Sequence, residues 1–372
     1  MHKVGLYIHF PWCKKKCPYC DFNSHPINSV MDQQKYIDAL LFDLATIMHK
    51  YPRTIATIFM GGGTPSLFSS AHMQQLIKSI KDTYDTTEEI EITCEANPGA
   101  IDEEQFAGYF SAGINRLSIG VQSFADTSLK EIGRIHNAEN AHRAIDRAHA
   151  AGFKRINIDI MYALPQQSIE QSLQDLTEAC LSKATHISWY QLTLEPDTYF
   201  ARFPPKRLSD DMIAEMEQEG LKLLKQHDLT RYEISAYHKA NDLPCQHNLN
   251  YWLFGDYHAI GAGAHGKITQ DNQVIRYHKS RIPKHYLDAP QLTTETIITQ
   301  DELLLEFMLN ALRLFRPIKF DFAAAATNMD AKQIKQIIKP LAAINLLHIS
   351  DHSFQPTELG YLHLNEVISH FL

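Results

Sequence analysis

"HFPWCKKKCPYCDFNSH", residues 9–25, places Cys13, Cys17 and Cys20, three of the chain's six cysteines, within eight positions. The spacing is C-x3-C-x2-C: one thiol more than a redox pair uses and one ligand fewer than closes a structural zinc site. The residues preceding the loop decide how it is read. Val4 to His9 is a short apolar run, and comparable runs rich in apolar and β-branched residues recur at Thr54 to Met60, Glu89 to Cys94, Arg116 to Val121, Arg155 to Ile160 and His186 to Leu192. Between them, stretches such as "QKYIDALLFDLATIMHKY" (34–51) and "NAHRAIDRAHAAGF" (140–153) carry apolar residues at three-to-four spacing, the second stopping near Gly152. Repeated strand and helix signals predict α/β architecture with a parallel sheet or barrel.

The polar features then fall into one pattern, because each lies where a predicted strand ends. The cysteine loop comes after the first strand, "GGGTPS" (61–66) after the second, Glu95 after the third and Gln122 after the fourth, and Asp159 closes the fifth. In βα barrels the carboxyl ends of the strands form the active face, so five separated features are expected at one mouth. Three thiolates there suit either zinc or an iron-sulfur cluster; on a four-iron cube they leave one iron open. Gly61, Gly62 and Gly63 remove every Cβ from one side of the mouth, which lets a ligand lie against bare backbone. A tight turn without ligand is the plainer reading of the same glycines.

Composition narrows the function classes. The chain has 372 residues, 44% hydrophobic and 21% charged, enough for one large domain and a small one. Net charge is -8 and the 35 basic residues are scattered, so the basic stripe of a nucleic-acid binder is missing. No stretch keeps about 18 apolar residues and no basic leader opens the chain, so no membrane span and a cytoplasmic location are expected. Cys94, Cys180 and Cys245 stand isolated, which leaves the clustered three for metal or redox chemistry.

Past Phe200 the pattern loosens. "GAGAHG" (261–266) formally reads as a dinucleotide fingerprint, but the next segment, "KITQDNQVIRY", reads as strand and turn instead of helix, so that meaning is rejected in favour of a close backbone turn. From about Gln300 helices precede "LLHISDHSFQP" (346–356), a hairpin pattern, and "TELGYLHLNEVISHFL". The division expected is residues 1–290 for the barrel with its extension and residues 291–372 for a helical, winged-helix-like unit. That unit lacks a basic recognition helix, which favours packing or a partner over DNA.

The cysteine loop with Tyr19, the triple glycine, "RLSIGVQSF" (116–124) and "INIDIMYALP" (156–165), in this order, resemble the radical S-adenosylmethionine superfamily. Within it they are closest to the oxygen-independent coproporphyrinogen III oxidase-like branch and to the haem chaperones of that branch. The resemblance spans nearly the whole chain and implies a partial (β/α)6 TIM-type barrel. It implies that Cys13, Cys17 and Cys20 hold a 4Fe-4S cluster and that Tyr7 and Tyr19 touch S-adenosylmethionine. Gly62, Gly63 and Thr64 would take its methionine end, and Glu95, Gln122, Arg134 and Asp159 the remainder. Taken without the family, Arg134 reads as a surface ion pair.

Two functions share such a core: a coproporphyrinogen III oxidase and a haem carrier. The family's oxidases carry a fourth cysteine two positions after the third and a long segment before the cluster; here that position is Phe22 and twelve residues precede Cys13. "HNLNYW" (247–252) resembles the H-N-x-x-Y-W motif of the chaperones, which implies haem binding with His247 as axial ligand. On residue chemistry alone, His247 is a packed core histidine. The expectation is a haem carrier without coproporphyrinogen III oxidase activity, serving haem-acceptor proteins. Acceptors of a respiratory chain would bring it to a membrane surface. A zinc-stabilised scaffold is the third reading, and homodimerisation is left open by the sequence.

Overall fold

A computed structural model describes residues 3–27, 31–99 and 103–372. All six expected strands are present: β1 (Lys3–Phe10), β2 (Thr54–Gly62), β3 (Thr86–Ala96), β4 (Arg116–Gln122), β5 (Arg155–Tyr162) and β6 (His186–Gln191). They pair in sequence order and in parallel. Helices α1 (Gln33–Lys50), α2 (Ser70–Thr83), α3 (Glu103–Ser111), α4 (Ala138–Ala150) and α5 (Ile169–Leu181) make the crossovers. Their starts are written in the sequence: Asp32, Ser69, Asn137 and Ser168 cap α1, α2, α4 and α5, the last two as reciprocal capping boxes.

Two short extensions complete the sheet. At one edge β7 (Thr230–Glu233) and β8 (Ala236–His238) come after the helix α6 (Asp210–Gln226), and β8 pairs antiparallel with β6. At the other, β9 (Tyr257–Ile260) lies parallel to β1, and β10 (His265–Gln270), β11 (Gln273–His278) and β12 (Thr294–Ile297) extend the sheet beyond it. The order is β12-β11-β10-β9-β1-β2-β3-β4-β5-β6-β8-β7. "KITQDNQVIRY" is the strand and turn expected: β10 and β11 meet through Asp271 and Asn272, both at positive φ (51° and 60°), as a two-residue hairpin turn requires.

Side chains alternate along each parallel strand, and the two faces differ in chemistry. Leu6, Ile8, Ile58, Met60, Ile92, Leu117, Ile119, Ile156 and Ile158 are buried against the helices and form the main core. The opposite face carries Thr57, Glu91, Thr93, Arg116, Ser118, Asn157 and His186, all buried and all polar. Such a face persists only if its groups are hydrogen-bonded. Most of them are: Asn157 donates to Ser118 Oγ at 2.8 Å and accepts from His186 Nδ1 at 2.6 Å, while His186 Nε2 meets the Tyr232 hydroxyl at 2.9 Å; Thr93 Oγ1 and Arg116 Nε are the exceptions, buried without a partner.

A second core lies in the C-terminal unit. Helices Gln300–Ala311, Phe320–Thr327 and Ala331–Ala343 pack with a small sheet of β13 (Ile318–Lys319), β14 (Leu347–Ile349) and β15 (Ser353–Pro356) around Phe307, Ile334, Ile338 and Phe354. Three helices and a hairpin wing match the sequence expectation. β12, which the division at 290 and 291 would assign to this unit, pairs with β11 in the large sheet. Among the described residues no helix is long and apolar enough to cross a membrane.

Gly261 sits at φ 100° where a Cβ would meet the His9 carbonyl at 2.3 Å. Its N–H faces Asp43 (3.3 Å) and the Tyr286 hydroxyl (3.2 Å). Asp43 is ion-paired with Lys279, and both side chains are fully buried. Burial pushes the Asp43 carboxyl up to about 6, against the pull of Lys279. Lys279→Met should therefore cost about 3 to 5 kcal/mol by leaving a buried carboxylate unpaired. Denaturant unfolding should show that deficit at pH 8 and a smaller one at pH 5, where Asp43 takes up a proton; Asp43→Leu combined with Lys279→Met should recover most of it.

Candidate functional site

The carboxyl ends of β1 to β6 enclose a cavity of about 390 Å³. Cys13, Cys17, Tyr19 and Cys20 come to it from the loop after β1, Gly62, Gly63 and Thr64 from β2, Glu95 from β3, Gln122 from β4, Arg134 from the segment before α4, and Asp159 from β5. Of the thirteen residues singled out in the sequence, eleven line this one space; Tyr7 and His247 do not.

The thiols are held apart on a short, internally bonded loop. Cys20 N–H donates to the Cys17 carbonyl at 3.1 Å and Cys20 Sγ lies 3.7 Å from Ser24 Oγ. Burial raises the Cys13 and Cys20 thiols above the ordinary value, so a bound cation or cluster is needed to keep them ionised. Among the described residues no three His, Cys, Asp or Glu side chains are grouped to hold a single metal ion. A cubane takes each thiolate on a different iron.

Arg134 is no surface ion pair. Its guanidinium donates to the Gly120 carbonyl at 2.6 Å and points Nη1 at Cys17 Sγ (3.7 Å), while its buried Nε has no partner. A fixed cation beside the thiols and an orphaned donor fit a bound anionic group. Across the cavity the charge reverses: burial, then the neighbouring Asp159, raise the Glu95 carboxyl to about 7. Glu95 accepts from the Gly62 N–H at 3.1 Å, and Asp159 from Asn157 at 2.9 Å. Arg116, which lines the same cavity, acts on Asp159, while Glu95 has only the Gly62 N–H, so this side suits a ligand that brings a further cation, such as an ammonium or sulfonium. Gln122 is held at φ 71° and accepts from the Tyr190 hydroxyl at 2.9 Å. A non-glycine residue in that region is a local strain that turns its amide into the mouth.

Three sequence readings change. A Cβ on Gly62 would strike the His9 ring at 2.4 Å and one on Gly63 the Trp12 carbonyl at 2.4 Å, so these glycines first let β2 pass the cysteine loop of their own chain. Tyr7 stands behind the wall: its hydroxyl meets His9 Nδ1 at 3.0 Å, and His9 Nε2 reaches the Asn23 carbonyl at 2.9 Å, so the pair braces the loop from behind. His247 differs further from the expected placement. It is fully buried, with Nδ1 2.7 Å from Thr57 Oγ1 and Nε2 2.8 Å from the Tyr251 hydroxyl, and Phe59 stacks on its ring. Both nitrogens are occupied and His247 does not line this cavity, so here it anchors the helix α7 (Gln246–Trp252) under the barrel. The member of that motif that does reach the cavity is Asn248.

Asn97, Arg116, Ser118, Asn157, Ser188 and Tyr190 also line the space and were missed. A signal existed: Arg116, Ser118 and Gln122, like Asn157 and Asp159, are polar at two-residue steps inside otherwise apolar runs.

Residues 7–178 match the radical SAM superfamily model and residues 298–363 the HemN C-terminal domain. The chain is 44% identical over 375 residues to the haem chaperone HemW of Haemophilus influenzae, covering 99% of this chain and 98% of that one. It is 41% identical to HemW of Escherichia coli and 32% to HemW of Bacillus subtilis, each over at least 98% of both chains. Coproporphyrinogen III oxidase HemN of Escherichia coli superposes with a TM-score of 0.84 at 20% identity, covering 100% of this chain and 90% of that one, a likeness of fold.

The buried groups of the site set two expected outcomes. In the cluster-free protein the folded state holds a proton on Glu95 between pH 4.5 and about 7, where the unfolded chain has lost it, so stability falls as pH rises through that window. Glu95→Gln should lack this loss and exceed the parent by about 3 kcal/mol at pH 8 and by little at pH 4.5 in chemical denaturation. His247→Ala should lower stability by about 2 to 4 kcal/mol at neutral pH, through the cavity and the two stranded hydroxyls. A melting temperature unchanged in that variant would contradict its anchoring role.

Proposed function

The chain belongs to the HemW family of haem chaperones, within the radical SAM superfamily, and from that premise we propose that it binds haem and passes it to acceptor haemoproteins. Cys13, Cys17 and Cys20 hold a 4Fe-4S cluster at the barrel mouth. A cluster on three thiolates supplies an iron with an open coordination position, where S-adenosylmethionine is chelated. The chain's own part is to bind and orient. Gly62, Gly63 and Thr64 border the methionine end of the cofactor, and Glu95 with Asp159 offers carboxylates to its cationic centre and hydroxyls. Gln122 presents an amide fixed by Tyr190. Arg134 balances the negative charge gathered around Cys17.

The observation that carries the carrier reading is Phe22. It stands at the position of the oxidases' fourth cysteine, lines the rim of the cavity and is 57% exposed. An exposed phenyl ring there supplies no ligand and no acid or base, so a mouth otherwise complete for cofactor binding lacks a group the oxidases have. The second reading, an oxygen-independent coproporphyrinogen III oxidase, draws on the shared fold and shared mouth. We further propose a cytoplasmic protein whose acceptors include respiratory-chain proteins, reached by peripheral contact with the membrane; a homodimer is a state to be measured.

Anaerobically reconstituted protein should contain about four irons with matching sulfide, and Cys17→Ala should lose them, as each cubane thiolate holds its own iron. Cys94→Ala, Cys180→Ala and Cys245→Ala should keep them. Loaded protein given S-adenosylmethionine, a reductant and coproporphyrinogen III should yield no decarboxylated tetrapyrrole, yet should transfer haem to an apo-haemoprotein. Turnover of coproporphyrinogen would put the oxidase first.

A further inference from the structure

Gln122 closes β4 at φ 71°, a region that an L residue holds only when its surroundings fix it there. Its side chain is fixed by Tyr190, the β6 residue paired with Met161 of β5: the Tyr190 hydroxyl donates to Gln122 Oε1 at 2.9 Å. With the carbonyl oxygen taken, the amide turns its two N–H bonds the other way, and among the described residues Gln122 Nε2 has no acceptor. Nε2 lies over Gly120: a Cβ on that glycine would stand 3.0 Å from Gln122 Nε2 and 3.4 Å from Arg134 Nη2. Gly120 therefore leaves open the place where the amide and the guanidinium converge, and all three residues line the cofactor cavity.

Donors gathered without an acceptor are costly unless an anion lies between them. Arg134 gives Nη2 to the Gly120 carbonyl at 2.6 Å, reaches Cys17 Sγ with Nη1 at 3.7 Å and leaves its buried Nε without a partner. Among the described residues it forms no ion pair with a carboxylate, and the groups that chiefly raise its pKa against burial are Tyr19, Cys17 and Tyr190. The carboxylates of the cavity are engaged elsewhere, Glu95 with the Gly62 N–H and Asp159 with Asn157. A carboxylate offers two oxygens to a planar amide and a planar guanidinium, so the pair fits the carboxylate of a bound ligand.

We propose that Tyr190 is a positioning residue for the cofactor: it turns the Gln122 amide so that Nε2 and the Arg134 guanidinium together donate to the methionine carboxylate of S-adenosylmethionine. The inference rests on the reading of this cavity as the S-adenosylmethionine site, and it adds a residue that lies outside the motifs resembling the superfamily. It also divides the methionine end between two walls, the carboxylate falling to Gln122 and Arg134 near Cys17 and the ammonium to the side of Gly62 and Glu95. Tyr190 has a second duty, since it stands between this cavity and the cleft that opens toward the C-terminal unit and lines both. The ring makes that wall; the hydroxyl does the positioning.

The test is anaerobic calorimetric titration of the cluster-loaded full-length protein with three probes. They are S-adenosylmethionine, S-adenosylhomocysteine, which keeps the carboxylate without the sulfonium charge, and decarboxylated S-adenosylmethionine, which keeps the charge without the carboxylate. Tyr190→Phe retains the ring and should retain its iron content and melting temperature. It should weaken the first two probes about three- to tenfold, as for loss of one hydrogen bond, and leave the third nearly unchanged. Gln122→Asn, an amide one methylene shorter on a residue type that tolerates positive φ, should show the same pattern, and adding Tyr190→Phe to it should weaken binding no further. Wild-type affinity for S-adenosylmethionine in Tyr190→Phe would overturn the role. So would equal weakening of all three probes, the mark of a damaged wall, or full additivity of the two substitutions, the mark of a tyrosine that does not act through Gln122. Wild-type protein that binds none of the three probes would instead remove the S-adenosylmethionine reading of the cavity.

Discussion

The Glu91 carboxylate holds the barrel and its plug together. It accepts from Arg155 Nη1 at 2.7 Å and from the backbone N–H groups of Gln246 and His247, each at 3.1 Å. Burial alone would raise its pKa, but Arg116, Arg155 and those two N–H groups outweigh it and leave the carboxyl below its ordinary value. Arg155 in turn bonds Asp242, which takes the Thr185 hydroxyl at 2.6 Å. A charge this deep is tolerable only because every partner is in place. Its effect is to bind β3, β5 and the start of α7 into one unit, so that Asn248 meets the cavity and His247 does not.

Above that network the lumen is charged and open, and the two halves of the mouth differ in sign. Arg134 stands by the thiols; Glu95 and Asp159 stand opposite. A zwitterionic ligand is oriented by such a field before any close contact forms. The cleft between the β6-β8-β7 edge and the C-terminal unit is built otherwise, lined by aromatic side chains with two arginines and three glutamates. One chain thus offers two cavities of different chemistry, joined by Tyr190, which lines both.

Motifs and contacts can part company, as His247 and the glycine run show. Each was legible as a spacing, yet the atoms these residues touch belong to their own chain: Thr57 and Tyr251 for the histidine, the carbonyls of Phe10 and Trp12 for Gly63. A hydrogen bond to a residue some 190 positions away leaves no mark in a local pattern.

The sequence by itself determined the six parallel strands, the capped crossover helices, the hairpin after the "GAGAHG" turn and the winged C-terminal unit, because periodicity, capping and turn chemistry are local. It also determined that the cysteine loop, Gly62 to Thr64, Glu95, Gln122 and Asp159 meet, since strand ends of a parallel sheet share one face. Tertiary structure alone decided which way each of them turns. It turned a half-buried Arg134 toward Cys17 and the Gly120 carbonyl, where local reading leaves a surface ion pair; it placed Tyr7 behind the mouth; and it filled both nitrogens of His247. It also made the cleft between Trp189 and Tyr361, residues 172 positions apart. The physical reason is that burial and pairing depend on chain segments brought together only by folding, whereas the elements themselves depend on neighbours a few residues away.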